Sequence, residues 1–197
     1  RTYKALQAAG LKVVVVLSCG RAVYMDWASD ADAIVFAGLT GQAGAAAVLD
    51  IISGKVNPSA KLAETWSLPD VPCASETYFP GKQMTCEYRE GLYVGYRYFD
   101  KTQKKVEFPF GFGLSYTTFR YDDISADENG VTFTITNTGN MDGAEIAQLY
   151  VSKADSKLFR PEKELKGFKK VFLKKGETKK GTIPFDDKTF RYFDVES

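Results

Sequence analysis

Glu87 and Glu90, three residues apart with Tyr88 and Arg89 between them, are the carboxylate pair in this sequence best spaced to do chemistry. Cleaving a glycosidic bond with retention needs two carboxyl groups about 5 Å apart, one to attack or stabilise and one to donate a proton. A turn of helix would bring two such side chains near that separation, though spacing alone is a weak signal. The rest of the inventory narrows the options. The 197-residue chain has no histidine, which removes Ser-His-Asp and Cys-His nucleophilic systems and most zinc sites. Cys19, Cys73 and Cys86 are odd in number, widely spaced and without zinc-ligand spacing. A disulfide framework is not expected, although a Cys73–Cys86 pairing stays open. Any chemistry rests on carboxylates, tyrosines or arginines, with no metal and no cofactor expected.

Other candidates concern binding. Arg21 and the Gly41-Gln42-Ala43-Gly44 turn both follow strand-like runs, and ligands of open α/β layers sit beyond the carboxyl ends of strands. The glycine turn could cradle a phosphate at a helix start. It lacks the Lys-Ser/Thr of a P-loop and the full dinucleotide fingerprint, so a tight turn that needs glycine is the favoured reading. Tyr78, Phe79 and Tyr88 offer aromatic faces for a sugar ring, whereas Tyr93, Tyr96 and Phe112 read as core or interface. The lysines between Lys163 and Lys180 interleave with Glu162, Glu164 and Glu177, as on a solvated strand face. A net charge of +1 gives no electrostatic reason for a nucleic-acid or anionic-membrane partner. No apolar run nears the roughly 20 residues that span a bilayer. The compartment stays open, with the cytoplasm favoured over secretion.

The elements that must position these residues fall into two regimes. Tyr3 to Ala9 reads as the last turns of a helix capped by Gly10. Val13 to Leu17 and Ala33 to Ala37 read as buried parallel strands, and Tyr24 to Ala28 as a short helix between them. A second helix opens at the Gly41 turn, presents Ala45, Val48, Leu49 and Ile52 on one face, and ends at Gly54. Leu62 to Trp66 suggests a further short strand, and Pro69 to Gln83 a long surface loop. Glu87 to Phe119 is so dense in aromatics that it must be a packed seam, with Phe108, Phe110, Phe112, Tyr116 and Phe119 mostly buried between two domains. Beyond it the period becomes two: Val131, Phe133 and Ile135 alternate with threonines, and further strands are expected at Ile146 to Ser152, Phe168 to Leu173 and Lys179 to Phe185. Short strands at this spacing indicate a β-sandwich.

Four stretches carry a family resemblance. EGLYVGYRYFD (Glu90 to Asp100) followed by FPFGFGLSYTTF (Phe108 to Phe119) resembles the junction of the second and third domains of glycoside hydrolase family 3. AGLTGQAGAAAVLDIISGKVNPSAKLAETW (Ala37 to Trp66) is similar to the end of that family's α/β sandwich domain, and RPEKELKGFKKVFLKKGET (Arg160 to Thr178) to its β-sandwich. The resemblance implies part of an α/β sandwich domain with a mainly parallel sheet over 1–68, a loop and aromatic seam over 69–117, and a fibronectin type III-like sandwich over 118–197, short of its last strand. It implies a chain incomplete at both ends and inert alone, belonging to a retaining enzyme that removes a terminal β-linked sugar, glucose foremost. The family's aspartate nucleophile lies on a barrel domain. Its general acid lies in a segment before the one resembled by Val13 to Val23. Neither maps onto a residue here, which leaves Glu87 and Glu90 as a fallback pair and Arg21, Tyr78, Phe79 and Tyr88 as candidate substrate contacts. Expected partners are a β-glucoside or oligosaccharide, the barrel of the same protein and a second copy in a homo-oligomer. The competing class is a non-catalytic carbohydrate-binding or adhesion module, since a β-sandwich fold does not settle function.

Overall fold

The computed structural model describes residues 2–192. Helix α1 (Thr2–Ala8) ends as its sequence requires: Gly10 takes φ 75°, its N–H donates to Gln7 O (2.8 Å), and the Leu11 N–H donates to Leu6 O (3.1 Å). That pair of bonds closes a left-handed glycine cap. The β-branched run then forms β1 (Val14–Leu17), which lies parallel to β2 (Ala33–Phe36), with Val14 opposite Ala33 and Leu17 opposite Phe36. The Asp32 carboxylate accepts from the Val13 N–H (2.8 Å) and pairs with Lys12 (3.1 Å), tying the two strand starts together.

Both strands were expected to be buried on each face. Val14 and Val16 are instead 44% and 41% exposed, because β1 and β2 form a sheet of two strands with one face uncovered. Between them the helix expected at Tyr24 to Ala28 is displaced to a single 3-10 turn, Ala28–Asp30. Helix α2 (Gly44–Ile52) ends before Gly54 (φ 76°) as expected, but its covered side is Gly44, Val48 and Ile51. Leu49 and Ile52, placed on the inward face by the sequence, are exposed.

A second, smaller layer joins the halves. β3 (Trp66–Ser67) is shorter than the Leu62 to Trp66 strand expected and pairs antiparallel with β4 (Val106–Phe108). Trp66 is fully buried, edge-on to Phe36 with ring centroids 5.0 Å apart, so it links this layer to the parallel pair. The segment between β3 and Gly95 is irregular apart from turns and one isolated bridge, as expected for Pro69 to Gln83. Helix α3 (Tyr96–Thr102) was not anticipated; it starts after Gly95 (φ 55°) and stops at Gln103 in the left-handed region. The aromatics expected to be mostly buried in a seam are less buried than that. Phe110 stacks on Tyr96 (4.8 Å) and Phe108 on Phe112 (5.0 Å), all half-buried, while Tyr116 is exposed and donates its hydroxyl to Ile51 O (2.9 Å).

The remainder is a β-sandwich. β5 (Phe119–Ala126), β6 (Gly130–Asn137) and β9 (Thr178–Pro184) form one antiparallel sheet, and β7 (Gly143–Val151) with β8 (Glu164–Leu173) the other. Phe133, Ile135, Ala147, Val171, Leu173 and Ile183 meet between them as the core, with Phe119 and Leu149 against it. Asn137 closes the end of β6 while fully buried. Its amide donates to Met141 O (2.8 Å) and Leu173 O (3.2 Å), and its carbonyl accepts from Thr117 Oγ1 (2.6 Å) and the Gly139 N–H (3.2 Å). Every hydrogen-bonding group of that side chain is thus satisfied, which its burial demands. The expectation of a missing last strand, placed after Arg191 to Ser197, lies mostly outside the described residues.

Candidate functional site

The carboxyl edge of the parallel pair carries Arg21 and the Gly41 turn. β1 stops at Ser18, whose hydroxyl donates to Gly38 O (3.2 Å) and so joins the two strand ends. The next four residues turn outward: the Cys19 thiol donates to Arg21 O (3.4 Å), and the Ala22 N–H donates to a Glu64 carboxylate oxygen (2.6 Å). Arg21 stands exposed on this turn, beside Leu39, whose side chain meets the Gly20 position and is itself 82% exposed.

The glycine turn that follows β2 needs no ligand to explain it. Gly41 sits at φ 63°, and a Cβ on Gly44 would overlap the Thr40 side chain, so both glycines are steric requirements. The tight-turn reading holds.

The irregular segment is tied to the same edge. Glu76 accepts from the Tyr24 hydroxyl (3.2 Å) and from the Cys73 N–H (3.3 Å), and this hydrogen bond to a carboxylate pushes the Tyr24 phenol above its ordinary pKa. Farther along, Arg89 pairs with Glu87 (2.7 Å) and covers the Tyr78 ring (5.4 Å). Phe79 and Tyr88 are 74% and 86% exposed, so they are the free aromatic faces of this stretch, while Tyr78 is occupied by Arg89.

The carboxylate pair does not lie on a turn of helix. Glu87 and Glu90 lie in irregular backbone, so the helical turn that would set their spacing is absent, and Glu87 is engaged by Arg89. The three cysteines are free, which leaves no Cys73–Cys86 bridge; the Cys73 thiol lies 3.3 Å from the Ser75 hydroxyl. Among the described residues no group of three or more acidic or cysteine side chains could hold a metal ion. No helix there is long and apolar enough to cross a membrane. A cavity of about 760 Å³ lies away from these residues, between α3 and the sandwich, walled by Tyr96, Phe110, Phe133, Ile146 and Ile183. Asp100, Lys104 and Lys163 also line it, and it brings together none of Arg21, Tyr78, Phe79, Tyr88, Glu87 and Glu90.

Comparison with known proteins decides the family. Residues 1–116 match the model of the glycosyl hydrolase family 3 C-terminal domain, and residues 145–197 that of the fibronectin type III-like domain. The chain belongs to glycoside hydrolase family 3. Family 3 relatives extend over its whole length: it is 44% identical over 204 residues to the thermostable beta-glucosidase B of Acetivibrio thermocellus, covering 100% of this chain and 27% of that protein. It is also 44% identical to an exo-alpha-(1->6)-L-arabinopyranosidase of Bifidobacterium breve, over 94% of this chain and 25% of that one. The crystal structure of a family 3 beta-glucosidase from Bifidobacterium adolescentis matches 98% of this chain and 29% of its own at 43% identity, with a TM-score of 0.91. That of a beta-glucosidase from Streptomyces venezuelae in complex with D-glucose matches 98% of this chain and 26% of its own at 35% identity, with a TM-score of 0.92. The chain thus spans about a quarter of the family 3 relatives it matches.

Two contacts at this edge escaped the sequence reading. Glu64 and Glu76 both spend their carboxylates on backbone or phenol donors at the β1 edge, across separations of 42 and 52 residues. Nothing in local pattern marks such contacts. The only sequence signal for Glu64 is its place in the family 3-like run ending at Trp66.

Proposed function

We propose that this chain is the C-terminal portion of a retaining β-glycosidase of family 3, a β-glucosidase foremost, and that it shapes the substrate site without supplying the reacting carboxylates. The observation that carries the reading is the likeness to beta-glucosidases over the whole chain, joined to the engagement of Glu87 by Arg89. In this reading residues 1–68 are the end of an α/β sandwich domain with a mainly parallel sheet, 69–117 a loop and seam, and 118–197 a fibronectin type III-like sandwich. Arg21 at the strand edge and the exposed Phe79 and Tyr88, with Tyr78 beneath Arg89, are the groups offered to a β-glucoside or oligosaccharide. A barrel domain of the same protein would face them, and a second copy in a homo-oligomer is the other partner proposed.

The relatives' names set the limit of the sugar assignment. A chain 44% identical to this one over nearly its full length is an arabinopyranosidase, so the shared portion does not by itself select glucose. The two exposed aromatic faces of Phe79 and Tyr88 favour, as a second reading, a carbohydrate-binding module without catalysis. Expression of the full gene beside residues 1–197, each assayed on an aryl β-glucoside and an aryl α-L-arabinopyranoside, tests the proposal. Turnover by the full protein alone supports it. Comparable turnover by residues 1–197 would return Glu87 and Glu90 as the catalytic pair, and sugar binding without any turnover by the full protein would favour the module.

A further inference from the structure

The Arg21–Ala22 peptide is held at both of its polar ends. Its carbonyl oxygen accepts from the Cys19 thiol (3.4 Å), and its N–H donates to the Glu64 carboxylate at 2.6 Å. A hydrogen bond to an ionised acceptor is short and about twice as strong as a neutral one. Holding that peptide plane places the Arg21 Cα, which lies in it, and restrains the backbone rotation that sets where the Arg21 side chain leaves the chain. Three residues before Arg21, the Ser18 hydroxyl on Gly38 O (3.2 Å) ties the start of the turn to the chain just after β2.

Glu64 has the rigid base that such a clamp needs. Two residues on, Trp66 is buried to 1% exposure and packed on Phe36, the last residue of β2, so the backbone carrying Glu64 is anchored to the strand pair whose edge it reaches. An exposed glutamate gains little by pairing with a surface cation. Here its carboxylate is placed on the backbone amide next to Arg21, at the carboxyl edge of β1. A guanidinium binds through a rigid fork of donors, so its value to a ligand depends on its direction.

We infer that Glu64 is a positioning residue that presents the Arg21 guanidinium to the hydroxyl groups of a bound sugar at the carboxyl edge of the parallel pair. The inference rests on the glycosidase reading and adds to it a residue pair acting as one unit. Arg21 touches substrate; Glu64 acts through the turn.

The full-length protein carries the test, with Glu64→Ala, Glu64→Gln, Arg21→Ala and the Glu64→Ala/Arg21→Ala double variant. Misplacing a contact by an ångström can cost up to a hundredfold in rate. On an aryl β-glucoside, Glu64→Ala and Glu64→Gln are expected to lower kcat/KM by roughly tenfold, and the double variant to fall no lower than Arg21→Ala. Amide exchange of a peptide spanning residues 18–24 should quicken about tenfold in Glu64→Gln but not in Arg21→Ala, with the melting temperature moved by about 2 °C or less. Losses that multiply in the double variant, or unchanged exchange in Glu64→Gln, overturn the inference while leaving the glycosidase reading intact. If Glu64→Ala does not fold, Glu64→Gln alone decides by the same two readouts, paired with Arg21→Ala. A wild-type full-length protein that cleaves no aryl glycoside overturns the glycosidase reading, and the sugar contact of Arg21 with it.

Discussion

The Lys61 ammonium lies 3.0 Å from the Glu145 carboxylate, with both side chains about five-sixths buried, and donates as well to Gly113 O at 2.9 Å. The pair joins the segment matched by the family 3 C-terminal domain to the segment matched by the fibronectin type III-like domain. Asn57 reinforces the same joint: its carbonyl accepts from Ser115 Oγ and the Tyr116 N–H, each at 2.9 Å, and its amide donates to Asp142 O at 3.0 Å. The two halves are therefore fastened by an ion pair largely removed from water and by more exposed hydrogen bonds of Asn57.

Removing one partner of a buried ion pair leaves the other charged and unsatisfied, which typically costs 3–5 kcal/mol. Residual exposure of the pair reduces that figure, so Lys61→Met should destabilise the chain by about 2–3 kcal/mol. Replacing both partners, Lys61→Met with Glu145→Leu, should recover most of the loss. Denaturant unfolding of the two singles and the double checks this. A double variant as unstable as the sum of the singles would show that the two charges do not act on each other.

Phe110 tests how much of the joint is apolar. Full burial of a phenylalanine would make truncation to alanine cost about 3–5 kcal/mol. Phe110 is half-buried, and its main partner is the Tyr96 ring at 4.8 Å. Phe110→Ala should then cost about 2 kcal/mol, less than a core position such as Phe133→Ala. Equal losses for the two variants, measured by chemical unfolding, would mean that the seam is as tightly packed as the sandwich core.

Such differences trace what the sequence could and could not announce. The parallel pair and β6 to β9 were legible because their β-branched runs and period-two alternation are local properties of the chain. Helix α3 was not, since Tyr96-Arg97-Tyr98-Phe99 leans toward strand by propensity; the helix exists because Phe99 is buried and Tyr96 finds Phe110 and Tyr150. β5 was hidden by Asp122 and Asp123, which sit where the register shifts and Asp123 takes φ 51°. Exposure of Val14, Val16 and Leu49 was illegible for another reason: hydrophobic pattern gives the face that seeks cover, and the contacts that cover it lie elsewhere in space. Glu64 is a further case, because its contact is with a turn 42 residues away.

Tyr121 carries a pH dependence. Burial, with a smaller contribution from the Glu145 charge, pushes its phenol from the ordinary 10 up to about 12. The folded chain therefore keeps this proton between pH 10 and 12, where the unfolded chain has released it. Since stability falls with pH wherever the folded state binds more protons, the stabilising contribution is complete below pH 10 and is lost as pH rises through 12. Tyr121→Phe should flatten the decline of stability across that window, and the phenolate absorbance of Tyr121, obtained by difference from that variant, should rise near pH 12. A Tyr121 midpoint at pH 10 would mean that the partial burial of this ring does not hold its proton.

The glutamate pair supplies the sharpest test of where the chemistry resides. A retaining mechanism needs one carboxylate free to attack and a second protonated beside it, at a spacing of about 5 Å. Glu87 instead neutralises Arg89 at 2.7 Å, and that guanidinium covers Tyr78 at 5.4 Å, so the Glu87 charge already has a structural use on the loop. Glu90 precedes the first turn of the seam and offers its backbone carbonyl to the Tyr93 N–H at 3.0 Å. Glu87→Gln and Glu90→Gln in the full-length protein should each keep kcat on an aryl β-glucoside within about threefold, whereas loss of a catalytic carboxylate costs several orders of magnitude. Added azide, a small nucleophile that can stand in for a missing carboxylate, should restore nothing in either variant. A drop of a thousandfold or more, rescued by azide, would make the residue a reacting carboxylate and move the chemistry into this chain.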